Sequence, residues 1–220
     1  MTEITLMSDP KVAAVPVRDI AEPLVDVRRE GGLLVDSLVA DPAGSYALLR
    51  EGVLQRLVKA DGLLPDGLRL LFVEGYRPLS LQRRYFEEYA AELRAADPAR
   101  PPAEIHAAAS RYVSPPDIAP HSAGAAVDLT LAGPDGKQLD MGTALNASPE
   151  ESAGACYTHA DGISADARAN RRTLGAALTA VGLVNYPTEW WHWSYGDRYW
   201  ALATGAECAL YGPWEADGNR

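Results

Sequence analysis

A single carboxylate lies within an otherwise apolar segment, and this feature constrains the fold more than any other. The segment AAVDLTL, residues 125–131, alternates in the manner of a β-strand, with Val127 and Leu129 on one face and Asp128 on the other. An inward-facing carboxylate must be paired or must coordinate a metal. The fold must therefore bring partner groups to this strand from elsewhere in the chain.

Histidines are the natural partners, and the chain has only four of them. His106 falls in a predicted helix, where a packed or exposed role is expected, whereas His121 lies in a loop rich in proline and glycine just before the strand of Asp128. Seven residues separate His121 from Asp128, and on an unbroken strand an odd separation would place them on opposite faces. Convergence of the two side chains therefore requires a bend, which Gly124 can provide.

A second cluster of polar and aromatic residues, Glu189-Trp190-Trp191-His192, lies near the other end of the chain. Catalytic zinc uses three protein ligands from nitrogen and oxygen donors and keeps one position for water. His121, Asp128 and His192 meet that requirement, and a further carboxylate, Glu189, could take the proton of the water and pass it to the leaving amine. Taken singly, each histidine is more often a hydrogen-bonded structural residue, and the two tryptophans are expected in the core and in the wall of the site.

The remaining periodicities predict an α+β domain, in which a small antiparallel sheet carrying the metal site is flanked by helices. No linker or repeat divides the chain, so one domain over residues 1–220 is expected, with its motif-bearing core at about 68–194. The predicted helices are 45–60, 80–94, 101–112 and 166–181; the predicted strands are 68–73, 125–131 and an aromatic strand over 184–195, with a hairpin turn at 133–136.

Composition excludes several classes of partner. The formal net charge of -10 leaves no basic face for a phosphate backbone, so we expect no nucleic-acid partner. No stretch approaches the roughly 20 apolar residues of a membrane helix, and the N-terminus lacks the basic start and apolar stretch of a secretory signal, so a cytoplasmic location without a membrane partner is expected. The two cysteines form no CxxC pair, and they are expected to be free thiols.

The motifs together resemble those of the D-alanyl-D-alanine dipeptidases of the vancomycin-resistance type, in the D,D-peptidase family of zinc enzymes (peptidase family M15). The matching segments occur in the family's order and cover roughly residues 68–194. The pattern HxxGxAxD followed much later by ExWH is specific, whereas GYRP alone would be weak. The segments are GYRP at 75–78, HSAGAAVDLTL at 121–131, MGT at 141–143, HADGIS at 159–164, NRR at 170–172 and EWWH at 189–192.

The resemblance implies a hydrolase that cleaves D-Ala-D-Ala or a similar small D,D-dipeptide. It implies that one Zn²⁺ per chain is held by the three residues named above and that Glu189 is the general base and acid. It also implies that Arg77 stabilises the negative charge that grows on the scissile carbonyl oxygen. From the residues alone, Arg77 could equally be a surface turn residue or a partner for Asp140. Asn146 and Trp191 are the expected substrate contacts.

Three positions depart from the family pattern. Ala119 stands where the family has serine, and Ala123 stands where an arginine can occur. Asn146 replaces an aspartate thought to hold the ammonium group of the substrate. A neutral amide supplies no countercharge, and charge-assisted hydrogen bonds are roughly twice as strong as neutral ones. A weaker affinity for dipeptides, or a different preference at the amino end, would follow.

Two other functions stay open at this point. A D,D- or L,D-carboxypeptidase acting on longer peptidoglycan peptides is favoured by the missing acid at Asn146. A metal-stabilised binding module without useful turnover is the alternative from another class, although Glu189 and Arg77 argue against it. Antibiotic resistance, recycling of cell-wall fragments and D-amino-acid nutrition are all compatible roles, and a homodimer would be in keeping with such an enzyme.

Overall fold

The computed structural model describes residues 4–214 of the 220. In that part of the chain, helices and strands alternate irregularly, and short 3-10 turns precede two of the strands. The helices are α1 (Pro10–Ala14), α2 (Glu51–Asp61), α3 (Leu79–Ala96), α4 (Pro102–Ala109), α5 (Ala165–Ala180) and α6 (Arg198–Thr204). The strands are β1 (Leu24–Asp26), β2 (Leu34–Val35), β3 (Leu48–Arg50), β4 (Arg69–Glu74), β5 (Ala126–Ala132), β6 (Val184–Asn185) and β7 (His192–Ser194).

A five-stranded sheet in the order β2-β4-β5-β7-β6 forms the centre of the fold. All of its pairs are antiparallel except β2 with β4, which run parallel, and β1 with β3 form a separate antiparallel pair. The predicted α+β class is therefore confirmed, with one parallel edge strand added to the expected antiparallel sheet.

The central strand β5 is buried along its whole length, and its two faces differ as the alternation predicts. Val127, Leu129 and Leu131 belong to the main hydrophobic core, to which α2 and α5 also contribute. Asp128 points to the other face, where it is 3% exposed. Burial of the apolar face of β5 stabilises the sheet. The polar side chains of β5 lie on its opposite face.

The helix predicted over residues 45–60 begins later than expected. Residues Ser45–Ala47 form a 3-10 turn, β3 follows, and α2 starts only at Glu51. Leu48 to Arg50 pair with β1, and the backbone N–H of Arg50 donates to the carbonyl of Gly124. Tertiary hydrogen bonds therefore outweigh the local helical periodicity over the first six residues.

The aromatic strand predicted over residues 184–195 is interrupted. It consists of β6 and β7, which pair with each other across a turn at residues 186–191. Pro187 has no N–H to donate within a continuous strand, and the Glu189 N–H instead donates to the Tyr186 carbonyl within the turn. The turn expected at 133–136 is present, since the Gly136 N–H donates to the Gly133 carbonyl. The returning segment pairs with the end of β5 only through a short bridge between Ala132 and Gln138.

Helices α3 and α4 form a helical unit, residues 79–113, with a small core of its own. Helix α4 ends at Ala109 rather than near Tyr112 as predicted, and Tyr112 packs on both this core and the main core. Proline residues set the starts of both helices: α3 follows Pro78 directly, and Pro102 is the first residue of α4. The buried residues of this small core are Phe86, Leu93, Ile105, Ala108, Ala109 and Val113.

The C-terminal segment 209–214 returns to the middle of the chain. The Trp214 N–H donates to the carbonyl of Ser122 at 2.7 Å, and the Tyr76 hydroxyl donates to the carbonyl of Trp214 at 2.8 Å. The guanidinium of Arg50, only 1% exposed, lies against the rings of Tyr211 and Trp214. The C-terminal segment is thus hydrogen-bonded to the turn that begins at His121.

No helix in residues 4–214 is both long and apolar enough to cross a bilayer. The organisation as one domain over residues 1–220 stays a prediction, and its ends, residues 1–3 and 215–220, lie outside the described part.

Candidate metal centre and its cavity

Three separate elements bring the candidate metal ligands together. Asp128 in β5 and His192 in β7 are directly opposed in the antiparallel pair. His121 opens a 3-10 turn that ends at Gly124, whose φ of 64° lies in the left-handed region. A Cβ on Gly124 would lie 2.3 Å from Leu24 Cδ2, so both conformation and space require glycine there. The bend expected at Gly124 is therefore present and returns His121 to Asp128.

The ligand atoms of the three residues face one another. His121 Nε2 lies 3.3 Å and His192 Nδ1 lies 3.1 Å from Asp128 Oδ1, and the two nitrogens are 3.2 Å apart. In a tetrahedral zinc site with bonds of about 2.0–2.1 Å, neighbouring donors are about 3.3 Å apart. The separations and the donor types fit a zinc ion bound to all three side chains.

Hydrogen bonding orients one imidazole toward this centre. His121 Nδ1 lies 2.6 Å from the carbonyl oxygen of Gly75, which can only accept, so Nδ1 carries the proton and Nε2 presents its lone pair to the site. His192 Nε2 is buried without a hydrogen-bond partner among residues 4–214. A Cβ on Gly75 would lie 2.3 Å from the Leu48 carbonyl oxygen. Glycine at position 75 is therefore needed for its backbone to pack this closely against Leu48.

Burial and charge favour the protonation states that a metal site needs. Burial tends to raise the pKa of Asp128, but the neighbouring imidazoles hold it below its ordinary value. Burial lowers the pKa of His192 and favours the neutral ring, although Asp128 opposes this. An ionised carboxylate and neutral imidazoles are the forms that bind divalent metals.

Glu189 lies beside the cluster in the turn between β6 and β7. Its Oε2 is 3.7 Å from His192 Nδ1, and the residue is 5% exposed. Burial, with the charge of Asp128 added, raises the pKa of Glu189 well above its ordinary value. The side-chain amide of Asn185 donates to the Glu189 carbonyl at 2.9 Å, which fixes the backbone of the turn. A carboxylate in this position can exchange protons with a group bound at the candidate metal centre.

Arg77 lies in the same cavity and is held by neighbouring side chains. Its Nε and Nη2 donate to the two carboxylate oxygens of Glu74 at 2.8 and 2.5 Å, and its Nη1 donates to Gln82 Oε1 at 2.9 Å. Burial tends to lower the pKa of Arg77, but Glu74 raises it above its ordinary value. Of the two alternatives left by the sequence, neither holds: the side chain is only 13% exposed, and its partner is Glu74 rather than Asp140.

The sequence reasoning did not single out Glu74 or Gln82. Glu74 ends the apolar strand β4, and its spacing of three residues from Arg77 was the available signal. Gln82 is 1% exposed and also donates to the Ser114 carbonyl at 2.7 Å, so it links Arg77 to the end of the helical unit.

A cavity of about 440 Å³ opens over the candidate metal centre. Asn146 and Trp191, the expected substrate contacts, both line it, and Asn146 has a φ of 64°. His106 instead packs against Phe86 in the helical unit, and His159 is exposed. The cavity is also lined by Glu74, Arg77, Tyr85, Glu88, Tyr89, Glu92, Tyr112, Val113, Ser114, His121, Asp128, Ser148, Glu151, Glu189 and His192.

Comparison with known proteins places the chain among peptidases. The family profile described as "D-ala-D-ala dipeptidase" matches residues 36–205. A D-alanyl-D-alanine dipeptidase of Synechocystis sp. is 29% identical over 219 residues, covering 86% of this chain and 87% of the relative. The Escherichia coli enzyme of the same name is 29% identical over 147 residues, 66% of this chain and 65% of the relative. That of Enterococcus faecium is 37% identical over 79 residues, 36% of this chain and 37% of the relative.

Solved structures of more distant proteins also align. A point mutant of the vancomycin resistance D,D-pentapeptidase VanY, in complex with Zn(II), has a TM-score of 0.44 and 18% identity, covering 84% of this chain and 90% of its own. The LdcB LD-carboxypeptidase has a TM-score of 0.48 and 15% identity, covering 96% of this chain and 89% of its own.

Proposed function

Since the chain belongs to the peptidase family described as D-ala-D-ala dipeptidase, we propose that it hydrolyses a free D,D-dipeptide such as D-Ala-D-Ala, with one zinc ion held by His121, Asp128 and His192. The observation that carries the proposal is the convergence of these three buried side chains, with a buried carboxylate, Glu189, beside them. The cytoplasmic location and a homodimer stay predictions.

Zinc, when bound, supplies Lewis acidity that lowers the pKa of a water and polarises a carbonyl. In the proposed reaction Glu189 takes the proton of the attacking water and returns it to the leaving amine. Glu189 Oε2 lies 3.7 Å from His192 Nδ1. The Glu189 carboxylate is thus next to the proposed zinc site but farther away than the three proposed ligands are from one another.

Arg77 is proposed to bind the carbonyl oxygen as negative charge develops on it. A guanidinium has five N–H groups, of which three are used on Glu74 and Gln82, so two remain for substrate. Because Glu74 and Gln82 hold the planar group in place, little reorganisation is needed during the reaction, and this is the condition under which such stabilisation is large.

Arg77→Lys is expected to lower kcat/KM for D-Ala-D-Ala by about 10²- to 10³-fold. Lysine keeps the charge but cannot bind both Glu74 oxygens and the substrate in one plane. Steady-state kinetics would measure this, with Arg69→Lys as the matched control, because Arg69 pairs with Asp61 away from the cavity. A rate for Arg77→Lys within threefold of wild type would contradict the role given to Arg77.

A second candidate is a D,D- or L,D-carboxypeptidase that trims longer peptidoglycan peptides. The observation that favours it is the neutral side chain of Asn146 in the cavity wall, since a free dipeptide brings an ammonium group that an acylated peptide lacks.

One experiment separates the two candidates. Zinc-loaded protein is incubated with free D-Ala-D-Ala, D-Ala-L-Ala and N-acetyl-D-Ala-D-Ala, and released alanine is measured. We expect cleavage of free D-Ala-D-Ala in preference to the other two peptides. Cleavage of the acetylated peptide alone would instead establish the carboxypeptidase, and a zinc-bound protein that cleaves none of them would overturn both proposals in favour of a binding module.

A further inference from the structure

One wall of the cavity comes from a long stretch that forms neither helix nor strand. Residues 133–164 lie between β5 and α5, and Asn146, Ser148 and Glu151 of this stretch line the cavity. Connections of this length without secondary structure are uncommon and are usually functional or disordered. Because no regular ladder pairs their backbone polar groups, other groups must do so. The position of this wall therefore depends in part on contacts made from outside it.

The side chain of Arg171, in α5, makes such contacts and is only 5% exposed. Its Nε donates to the carbonyl of Met141 at 2.7 Å, ahead of the cavity-lining residues. Its Nη1 and Nη2 donate to the carbonyls of Tyr157 and Ala155 at 2.7 and 2.9 Å, beyond those residues. We call residues 141–157 the wall segment. One guanidinium thus holds both ends of the wall segment to α5.

The guanidinium of Arg171 is buried without a carboxylate beside it. None of the ion pairs formed within residues 4–214 includes this side chain. Burial lowers the pKa of Arg171 to about 10, whereas Glu74 raises that of Arg77. Burying an unpaired cation costs free energy, which only its hydrogen bonds and its contact with the Trp190 ring, 5.5 Å away, can offset. Its three carbonyl partners therefore account for its place in the fold.

The turn that carries Glu189 has supports that do not include the wall segment. Asn185 Nδ2 donates to the carbonyls of Glu189 and His192 at 2.9 and 3.0 Å. Trp190 is 1% exposed in the main core, and its carbonyl accepts a hydrogen bond from Trp193 Nε1 at 3.1 Å. The proposed general base and a proposed metal ligand therefore keep their backbone support if the wall segment is released.

We propose that Arg171 is a positioning residue for substrate binding, because it holds the wall segment in the shape that lines the cavity. The inference rests on the proposed function and deepens it by assigning substrate binding and the chemical step to separate supports. A wall that is ordered in advance lowers the cost in free energy of binding. Without the three hydrogen bonds, substrate must order the wall itself. The loss then appears in KM, while kcat is retained.

The first test is Arg171→Lys in the zinc-loaded protein. Lysine keeps the positive charge but cannot donate to three carbonyls at the fixed geometry of a guanidinium. We expect KM for free D-Ala-D-Ala to rise about tenfold and kcat to stay within roughly threefold of wild type. Arg172→Lys is the matched control, since Arg172 is the next residue of α5 and is exposed. Both of its kinetic constants should equal those of wild type.

A second variant, Asn185→Ala, separates positioning from a general loss of stability. It removes the two hydrogen bonds to the backbone of Glu189 and His192 and leaves those of Arg171 in place. We expect it to lower kcat about tenfold or more with little change in KM. Thermal unfolding is measured for both variants. A merely structural role for Arg171 would change the unfolding temperature without this division between the two kinetic constants.

Amide hydrogen exchange tests the same inference without any measurement of activity. In zinc-loaded Arg171→Lys, peptides from the wall segment should exchange faster than in wild type, while peptides from β5 should be unchanged. Arg171→Gln, which buries no charge, takes the place of Arg171→Lys if the lysine variant does not fold, and it should show the same two effects.

An unchanged KM, or unchanged exchange in the wall segment, would overturn the inference. So would a kcat that falls as much as KM rises, because the wall segment would then support the chemical step as well. A wild type that cleaves no peptide would overturn the proposed function itself. In that case faster exchange in the Arg171 variants would still show that Arg171 holds the wall segment.

Discussion

Glu189→Gln is expected to lower kcat for free D-Ala-D-Ala by about three orders of magnitude, within the ~10²–10⁴-fold range of general acid–base catalysis. Glutamine keeps the size and the hydrogen-bonding reach of the side chain but cannot accept the proton of the water. The substitution also removes a buried carboxyl group whose pKa burial raises, so the folded protein should not lose stability. Rates of alanine release under saturating substrate measure the effect.

The control is a second glutamate, one that is exposed and does not line the cavity. Glu87 is exposed on α3 and does not line the cavity, so Glu87→Gln should retain the wild-type rate. Zinc content should be equal in both variants and in wild type, because Glu189 is not among the three converging donors. A Glu189→Gln protein that holds zinc and works within tenfold of wild type would remove Glu189 from the mechanism.

Asp128→Asn is the second large effect, and it should appear in stability as well as in turnover. A ligand that binds only the folded state at a thousandfold excess over its Kd adds about 4 kcal/mol to the free energy of unfolding. We expect wild-type protein to gain an increment of this size on addition of zinc. The variant should gain much less, because it replaces a carboxylate that lies within 3.3 Å of both imidazoles with a neutral amide.

Metal is first removed with a chelator. Chemical denaturation with and without added zinc then gives the gain in the free energy of unfolding for wild type and for Asp128→Asn. Asp61→Asn is the control, since Asp61 is a partly buried carboxylate bonded to Arg69 and to the Leu70 N–H, remote from the cavity. That variant should lose some stability yet keep the full response to zinc. If Asp128→Asn gained as much stability from zinc as wild type, Asp128 would not be a ligand.

The sequence predicted the central features of this fold because their patterns are local and strong. The alternation around Asp128 gave the correct two faces of β5, and the apolar run at 68–73 matches β4 to within one residue. The requirement for a bend at Gly124 also followed from the period of a strand. Burial of an apolar face determines both strands, and the period of a strand determines the need for the bend, so each feature can be predicted from one segment at a time.

The errors lie where contacts distant in sequence determine local structure. The apolar periodicity predicted helix at residues 48–50, yet these residues pair with β1, which lies more than twenty residues earlier in the chain. The aromatic segment reads as one strand, yet a turn at Pro187 divides it. Glu74 was overlooked although it binds Arg77 at two points, because an acid at a strand end has no periodic signature. The hydrogen bonds from Tyr89 to Glu150 and from Tyr112 to the Asn146 carbonyl join residues 61 and 34 positions apart, which no local pattern reports.

The contacts of the C-terminal segment 209–214 affect the order in which parts of the chain can fold during synthesis. Trp214 bonds to Ser122, and the Gly212 N–H bonds to Asp19, a separation of 193 residues. Proteins emerge from the ribosome with the N-terminus first, at roughly 5–20 residues per second, and contacts this distant form late. The turn that carries His121 therefore lacks its support until residue 214 has emerged. We therefore expect the proposed metal site to be completed late in the maturation of the newly made chain, well after β5 has been synthesised.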